Sequence, residues 1–210
     1  MNLAQILNQL AVTVDREDIS GTYVDFVNQA LVQIQDLHSW DEMKKTSVAG
    51  TILAGVTFLD LPADFKEFQN GRFPTIVDEA TSGGRHNYAV YSVSEVEKLR
   101  PSLRPARHFV YEQRSGEVSR INLSEAKTED LQVQAKYYAY LPELAEGDVT
   151  EHLLLSSYPN MVLSKTLSLV FQSLNDDQFI VHERAFANEF KNNSGKDIKV
   201  SYPTPRAEKE

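Results

Sequence analysis

The sequence predicts an α+β fold. Helices from both ends of the chain form one bundle, an antiparallel β-sheet or small barrel is inserted between them, and the chain finishes in an extended tail. Two observations predict this class. Apolar residues recur at helical spacing near both ends, whereas the middle is rich in β-branched residues and turn signals. In addition, a tyrosine-rich segment at 131–140 breaks at Leu141-Pro142, where the pattern becomes helical again.

Two helices are predicted within the first 40 residues. The apolar face of the first comprises Leu3, Ile6, Leu7 and Leu10. After a break at 15–21, Thr22 is a candidate N-cap of the second helix, with Asp25 three residues later. The apolar stripe of the second helix comprises Tyr23, Phe26, Val27, Ala30, Leu31, Ile34 and Leu37. The single tryptophan, Trp40, follows this helix and is expected to anchor its end to the core.

From Thr46 the pattern becomes that of strands. Segment 48–61 is rich in β-branched residues, and Pro62 ends it because proline cannot donate to a ladder. Turns are predicted at Asn70-Gly71, Ser82-Gly83-Gly84 and Ser115-Gly116. Between the turns, short strands are expected near 73–78, 87–92, 108–112, 117–122 and 131–140. A helical turn is expected at 94–99, before Pro101.

The last third of the sequence is predicted to be helical. One segment spans 150–157, and Tyr158-Pro159 marks a kink or a new start. The next helix has an apolar stripe of Leu163, Leu167, Val170, Phe171 and Leu174. After a turn at 175–177, the last helix repeats Phe179, His182, Phe186 and Phe190 and ends at Gly195. The expected organisation is a helical part at 1–45, a β-rich part at 46–144, a second helical part at 145–193 and a tail at 194–210.

Composition and charge exclude several classes of protein. The chain has no cysteine, which excludes disulfide frameworks and thiol nucleophiles and fits a reducing compartment. Its formal net charge of −9 argues against a simple nucleic-acid binder, because phosphate contacts need a basic surface. A secretory signal and a membrane span are not predicted, since no apolar run approaches the roughly 20 residues that a span needs.

The sequence contains no recognisable catalytic arrangement. The five histidines are scattered, and neither a phosphate-binding loop nor a nucleophile elbow is found. Neighbouring acids such as Asp176-Asp177 are typical of caps and solvated turns rather than of an acid and base pair. The sequence therefore predicts no catalytic residue, no cofactor and no metal site, and the protein is not expected to be an enzyme.

Three segments are candidates for contacts with other molecules. In the tail, alternation of apolar and polar residues suits an extended segment that docks on a partner, with a frayed terminus as the alternative. The docking residues are expected to be Ile198, Val200, Tyr202, Pro203 and Pro205. Segment 98–108 is the one basic concentration, and it is either a contact for a phosphate or an acidic surface, or a solvated loop. The tyrosines at 131–140 could stack on bases or sugars, fill a subunit interface, or pack within the sheet.

Several of these features together resemble a known family. They are the helix that ends near Trp40, the motif Leu61-Pro62-Ala63-Asp64-Phe65, the motif Tyr137-Tyr138-Ala139-Tyr140-Leu141-Pro142, and the Tyr158-Pro159 helix followed by Asp176-Asp177. This combination resembles the head-to-tail adaptor (connector) proteins of tailed bacteriophages, the group that includes tail tubular protein A. The resemblance covers the chain from about residue 22 to about residue 190 and consists of short aromatic and proline motifs.

The resemblance implies a structural virion protein at the head-tail junction, assembled in the host cytoplasm. It implies a ring, commonly of about twelve copies, between the capsid portal and the tail or nozzle, with the tail segment docked on the portal. DNA is expected to pass through the ring without sequence-specific binding, and twelve copies of charge −9 carry about −108. Contacts with the neighbouring subunit or the nozzle are expected at Arg100, Arg104, Arg107, Gly83 and Gly84. The alternatives are a neighbouring tail-completion or nozzle ring protein, and a carbohydrate-binding or enzymatic module.

Overall fold

The structure, a computed structural model, describes residues 2–69, 75–79, 85–98, 108–112, 119–123, 126, 128–145, 147 and 152–195. The chain divides into two compact units. The first, called here the helical unit, combines Met1–Glu42 with Leu141–Glu210, and the second, the sheet unit, is Met43–Tyr140. Helices together with mainly antiparallel strands confirm the α+β class.

The α-helices of the described segments are α1 (Leu3–Val14), α2 (Tyr23–Leu37), α3 (Val93–Lys98), α4 (Leu153–Ser157), α5 (Pro159–Ser173) and α6 (Gln178–Ser194). Short 3₁₀ helices lie at Glu17–Thr22 and Asp41–Met43. Among the residues that the structure describes, no helix combines the length and the apolarity that a membrane crossing requires.

Helix α1 begins with a reciprocal cap. Asn2 accepts a hydrogen bond from the Gln5 backbone N–H through its side chain, and the Gln5 side chain accepts one from the Asn2 backbone N–H. Two N–H groups that the helix itself cannot satisfy are thereby paired. At the other end, Asp15 has a left-handed backbone (φ 51°) and donates its N–H to the Ala11 carbonyl. A side-chain cap and a left-handed residue therefore mark the two ends of this predicted helix.

The predicted N-cap at Thr22 is wrong in one respect. The second helix does begin after Thr22, but the Thr22 hydroxyl donates to the Ile19 carbonyl, at 2.7 Å, and caps no helical N–H. The reason is local geometry. Thr22 also ends the preceding 3₁₀ helix, so its backbone lies in the right-handed helical region and not in the extended conformation of an N-cap.

Helix α5 occupies the centre of the helical unit. It packs against α1, α2, α4 and α6, and almost every side chain from Met161 to Phe171 is buried or half-buried. The predicted stripe was too narrow, because the buried set also includes Lys165, Thr166 and Ser168. A helix that is enclosed on so many sides obtains most of its stability from tertiary packing.

Trp40 joins segments from both ends of the sequence. Its ring lies 4.7 Å from that of Tyr158 and 5.7 Å from that of Phe190, measured between centroids, and only 2% of the residue is exposed. The indole N–H donates to the Ile34 carbonyl at 3.1 Å. The prediction that Trp40 anchors the end of the second helix to the core is therefore confirmed.

The strands are β1 (Lys44–Ile52), β2 (Phe58–Asp60), β3 (Phe65–Phe68), β4 (Thr75–Glu79), β5 (Arg85–Ser92), β6 (His108–Glu112), β7 (Arg120–Leu123) and β8 (Leu131–Ala139). They form one sheet in the order β1-β8-β4-β5-β6-β7-β2, with β3 also paired to β8. Strand β8 is therefore central: β1 pairs along one edge, and β3 and β4 pair along the other.

Three details of the sheet differ from the expectations. Segment 48–61 is not continuous, because Gly55, with φ 81°, lies in a turn between β1 and β2. Strand β3 was not predicted, although it directly follows the expected break at Pro62. Strands β5 and β6 are parallel, and α3 lies in the connection between them, as in a crossover unit. Ser92 directly precedes α3 and exchanges hydrogen bonds with Glu95 in a capping box.

One face of β8 builds the core of the sheet unit. Residues alternate between buried and exposed along the strand, as period-two geometry requires. Tyr137 lies on the buried face, where its ring stacks on Phe65 with 5.5 Å between centroids. Its hydroxyl donates to Asp64 at 3.2 Å, and burial, reinforced by the Asp64 carboxylate, raises the pKa of Tyr137. Tyr137 therefore packs within the sheet, which is one of the three roles predicted for the tyrosines at 131–140.

The sheet curves so that its two ends come close together. Strands β1 and β2 lie at opposite ends of the pairing order, yet only residues 53–57 connect them. Such a connection reaches roughly 18 Å at most. The approach is tight at Gly50, where an added Cβ would lie 2.8 Å from the Leu59 Cδ2 atom. A side chain at position 50 would therefore require the Leu59 side chain to move.

We expect Trp40→Ala to lower the free energy of unfolding by about 3–5 kcal/mol, because it leaves a large cavity beside Tyr158 and Phe190. Urea denaturation followed by circular dichroism measures the change. Val12→Ala, at a side chain that is 83% exposed, is the control and should change stability by less than about 0.5 kcal/mol. Equal midpoints for the two variants would contradict the anchoring role of Trp40.

Candidate functional site

The residues predicted to contact partners lie outside the described residues. This holds for the tail residues Ile198, Val200, Tyr202, Pro203 and Pro205, for Arg100, Arg104 and Arg107, and for Gly83 and Gly84. Their roles therefore stay predictions.

The described residues contain no group of three or more His, Asp or Glu side chains that could hold a metal ion. Among the histidines, the His182 ring stacks on Phe171 at 5.2 Å with a 5° angle between the planes, and burial lowers the pKa of His182. This is a packing role, as the apolar repeat Phe179, His182, Phe186 predicted.

Charge is distributed unequally between the two units. The helical unit contains 18 acidic and 8 basic residues, a formal net charge of −10, whereas the sheet unit contains 12 acidic and 13 basic residues, a net charge of +1. The chain's whole net charge of −9 therefore belongs to the helical unit. Two helical units repel each other wherever acidic surfaces meet, so any contact between copies must occur at an uncharged or oppositely charged surface.

Helix α1 presents one such uncharged surface. No ionisable side chain occurs in Leu3–Val14, and the exposed residues of the helix are Ala4, Gln5, Asn8, Gln9, Ala11, Val12 and Thr13. The surface of a soluble domain is ordinarily about 25–35% charged. Depletion of charge is typical of the central part of protein interfaces.

Two amide side chains of α2 hold the segment 141–144 along the helix. Asn28 donates through Nδ2 to the Leu144 carbonyl and accepts from the Leu144 N–H through Oδ1, both at 2.9 Å. Two turns later, Gln35, which is 2% exposed, accepts from the Leu141 N–H at 2.6 Å. The chain that leaves the sheet is thus attached to α2 at two points before it continues towards α4.

This arrangement creates an open groove of about 460 Å³ on the helical unit. Its lining consists of Asp25, Asn28, Gln29, Val32, Gln33 and Glu143. Helix α2 contributes five of these at spacings of three and four residues, which places them on one face. The groove combines two carboxylates, several amides and one apolar side chain, Val32, which is 39% exposed. A polar and positively charged segment has the matching chemistry.

A partly buried ion pair fixes α6 against α5. The Lys165 Nζ atom lies 3.0 Å from the Glu183 Oε2 atom, and the Ser168 hydroxyl donates to the same oxygen at 2.7 Å. The ammonium group also lies 5.0 Å from the centre of the Phe186 ring. Such a pair stabilises weakly compared with a packed apolar pair, but it defines which residues of the two helices face each other.

His152 precedes α4 and is nearly fully buried, with 6% exposure. Neither ring nitrogen makes a hydrogen bond of good geometry to any described atom. Burial lowers the pKa of His152, and the nearby backbone of Pro142 offsets part of that effect. The imidazole is therefore held in its neutral form at a position where protonation is costly.

Sequence reasoning missed the groove because amides carry no strong motif. Asn28 and Gln35 were skipped as polar positions between the apolar residues of α2. The available signal was their spacing of seven residues, which places two amides on one side of a helix. Neither could be assigned a partner without knowing that residues 141–144 return to α2, more than 100 positions later in the chain.

We expect Asn28→Ala to lower the free energy of unfolding by about 1–3 kcal/mol, because both backbone groups of Leu144 lose their partner in a half-buried position. Chemical denaturation measures the change. Gln29→Ala, an exposed neighbour on α2, is the matched control and should change stability by about 0.5 kcal/mol or less. A loss no larger than that of the control would show that the attachment of 144 to α2 is not stabilising.

We expect His152 to make the protein less stable in mild acid. Its folded pKa is below the unfolded value near 6.5, so the unfolded chain binds more protons as the pH falls. The stability that the neutral imidazole of His152 provides is complete above about pH 6.5 and is lost as the pH falls below that value. His152→Leu should therefore lose less stability between about pH 7.5 and about pH 5.5 than the wild type does, as measured by urea midpoints. Asn160→Ala, at an exposed residue, is the control and should keep the pH dependence of stability of the wild type. If the stability of His152→Leu depends on pH as that of the wild type does, the assignment to His152 is wrong.

The comparisons with known proteins extend these observations. A search of curated proteins finds no match. A sequence model of the family described as SU10 adaptor protein matches residues 1–206, nearly the entire chain. This match confirms the resemblance to phage head-to-tail adaptors, and the chain belongs to the SU10 adaptor protein family.

Proposed function

We propose that this adaptor protein forms a closed ring of about twelve copies between the capsid portal and the tail or nozzle. It is a structural component of the virion at the head-tail junction and assembles in the host cytoplasm. DNA passes through the ring without sequence-specific binding. The observation that carries the proposal is the adaptor family match over residues 1–206, because an adaptor must hold two different partners at once.

The charge distribution supports a conduit. A helical unit of charge −10 gives passing DNA little to bind, because affinity for the phosphate backbone depends on basic surface. A ring also requires heterologous contacts, in which one face of a subunit meets a different face of its neighbour. Unequal charge on the two units supplies two such different faces.

The contacts with partners are assigned to segments outside the described residues. The tail at 196–210 docks on the portal through its apolar residues, which are Ile198, Val200, Tyr202, Pro203 and Pro205. The neighbouring subunit or the nozzle is contacted through Arg100, Arg104 and Arg107, and through Gly83 and Gly84. These roles follow from the adaptor function and from the composition of each segment.

Native mass spectrometry of the purified chain mixed with the portal ring of the same phage tests the proposal. A complex with a fixed, whole number of adaptor copies per portal ring is expected. Absence of any cyclic complex across a range of salt concentrations would overturn it.

Removal of 196–210 tests the role of the tail. The helix cap at Gly195, whose N–H donates to the Lys191 carbonyl at 2.9 Å, is retained, so α6 should keep its C-terminal end. We expect portal attachment to weaken by at least about a hundredfold, with a thermal unfolding midpoint within about 2 °C of the full chain. Attachment and unfolding are measured by biolayer interferometry and by calorimetry.

The control is a variant in which residues 196–210 are scrambled, so that their composition is kept and their order is not. It should also fail to attach, because docking depends on the spacing of the apolar residues. Unchanged attachment of the shortened chain would favour a neighbouring tail-completion or nozzle ring, which has no need to bind the portal.

A further inference from the structure

We propose that the groove on α2 receives the basic segment 98–107 of a neighbouring copy of this chain, so that subunits join through an acidic surface on one copy and a basic segment on the next. The inference rests on the proposed ring. It identifies the surface that receives the basic segment, which neither the family match nor the predicted residue roles specify.

The groove is open to solvent, and its walls belong to parts of the helical unit that are fixed by other contacts. Helix α2 packs against the central α5 on its other side, and Asn28 fixes the backbone of Leu144 next to Glu143. A groove with fixed walls can bind a segment without the entropic cost of being ordered itself.

The groove is acidic. Its described lining contains two carboxylates, Asp25 on α2 and Glu143, and no basic residue. The surrounding unit has a net charge of −10. Among the candidate occupants within this chain, an acidic or neutral segment would gain little from these carboxylates, and a second helical unit would be repelled by them.

The basic segment 98–107 has the charge that complements the groove. Segment 98–107 contains Lys98, Arg100, Arg104 and Arg107 and no acidic residue, which makes it the strongest concentration of positive charge in the sequence. Arginine binds a carboxylate with two parallel hydrogen bonds, so it gains direction as well as attraction. The segment belongs to the sheet unit, and the unit's net charge of +1 includes the four positive charges of this segment.

The proposed contact also has the geometry that a ring requires. A contact between an acidic groove and a basic segment joins two different surfaces, so it is heterologous and can repeat from copy to copy until the ring closes. Contacts between two grooves or between two basic segments are disfavoured by like charge. The same pair of surfaces therefore promotes the ring and opposes symmetric dimers.

Charge reversal in two variants tests the inference. The groove variant is Asp25→Lys with Glu143→Lys, and the segment variant is Arg100→Glu with Arg104→Glu. Each alone should raise the concentration needed for half-maximal ring formation on the portal by at least about tenfold, because every subunit contact then pairs like charges. Mass photometry and native mass spectrometry measure the rings.

A mixture of the two variants is the decisive sample. The basic groove of the first fits the acidic segment of the second, and the unchanged acidic groove of the second fits the unchanged basic segment of the first. Equal amounts should form rings in which the variants alternate, at a concentration within about threefold of the wild type. The chain that carries all four substitutions should also assemble. Recovery in the mixture requires that both variants are folded.

The control is Asp18→Lys with Asp177→Lys, which makes the same change in net charge at exposed residues outside the groove lining and should assemble as the wild type does. If the groove variant unfolds, the neutral pair Asp25→Asn with Glu143→Gln replaces it. Its rings should be weaker than wild-type rings and less sensitive to added salt.

Three outcomes would overturn the inference. They are wild-type assembly by the groove variant, wild-type assembly by the segment variant, and recovery in the four-substitution chain without recovery in the mixture. The third indicates a contact within one chain. Absence of rings in the wild type itself would instead overturn the proposed function, so the two failures are distinguishable.

Discussion

The burial of α5 is the constraint on which the helical unit depends. This helix comes from the last third of the chain, and α2, which covers one side of it, comes from the first fifth. Neither helix is long enough to be stable alone in water, so each forms because the other removes its apolar face from solvent. The cost of closing the long loop between them grows only slowly with its length, which makes the insertion of Met43–Tyr140 tolerable. Trp40 reinforces the closure by packing on both Tyr158 and Phe190.

That constraint also determines where charge can be placed. Because α5 is enclosed, its single charged residue, Lys165, is neutralised by Glu183, and the other acids of the helical unit whose burial the structure describes are exposed or half-exposed. Helix α2 faces α5 on one side and carries Asp25 on the other, next to Glu143. The groove is therefore a consequence of packing. Asn28 and Gln35 attach residues 141–144 to α2, and the carboxylates of Asp25 and Glu143 line the groove beside this attachment. The net charge of −10 on the helical unit is unfavourable for binding to the phosphate backbone of nucleic acids.

Sequence reasoning predicted the α+β class and most elements because these depend on local periodicity. The apolar stripe of α2 and the alternation along β8 are visible without any knowledge of tertiary partners. Strand β3 was missed because it is only four residues long and obtains its ladder from β8, far along the sequence. The parallel pairing of β5 with β6 and the burial of Lys165 were missed for the same reason, since each depends on a partner that sequence spacing does not identify. Ser92 and Glu95 did carry a local signal, the capping box of α3, that was overlooked.

The central claim is that both ends of the chain form one cooperative helical unit. Hydrogen exchange of the intact protein, measured by mass spectrometry in low concentrations of urea, tests it most directly. The amides of α2 and α5 should become exposed together, with the same free energy of opening and the same dependence on urea. If the amides of α1 and α2 exchange through an opening that leaves α5 and α6 protected, the two ends are independent, and the structural basis for the groove and for the subunit contact is lost.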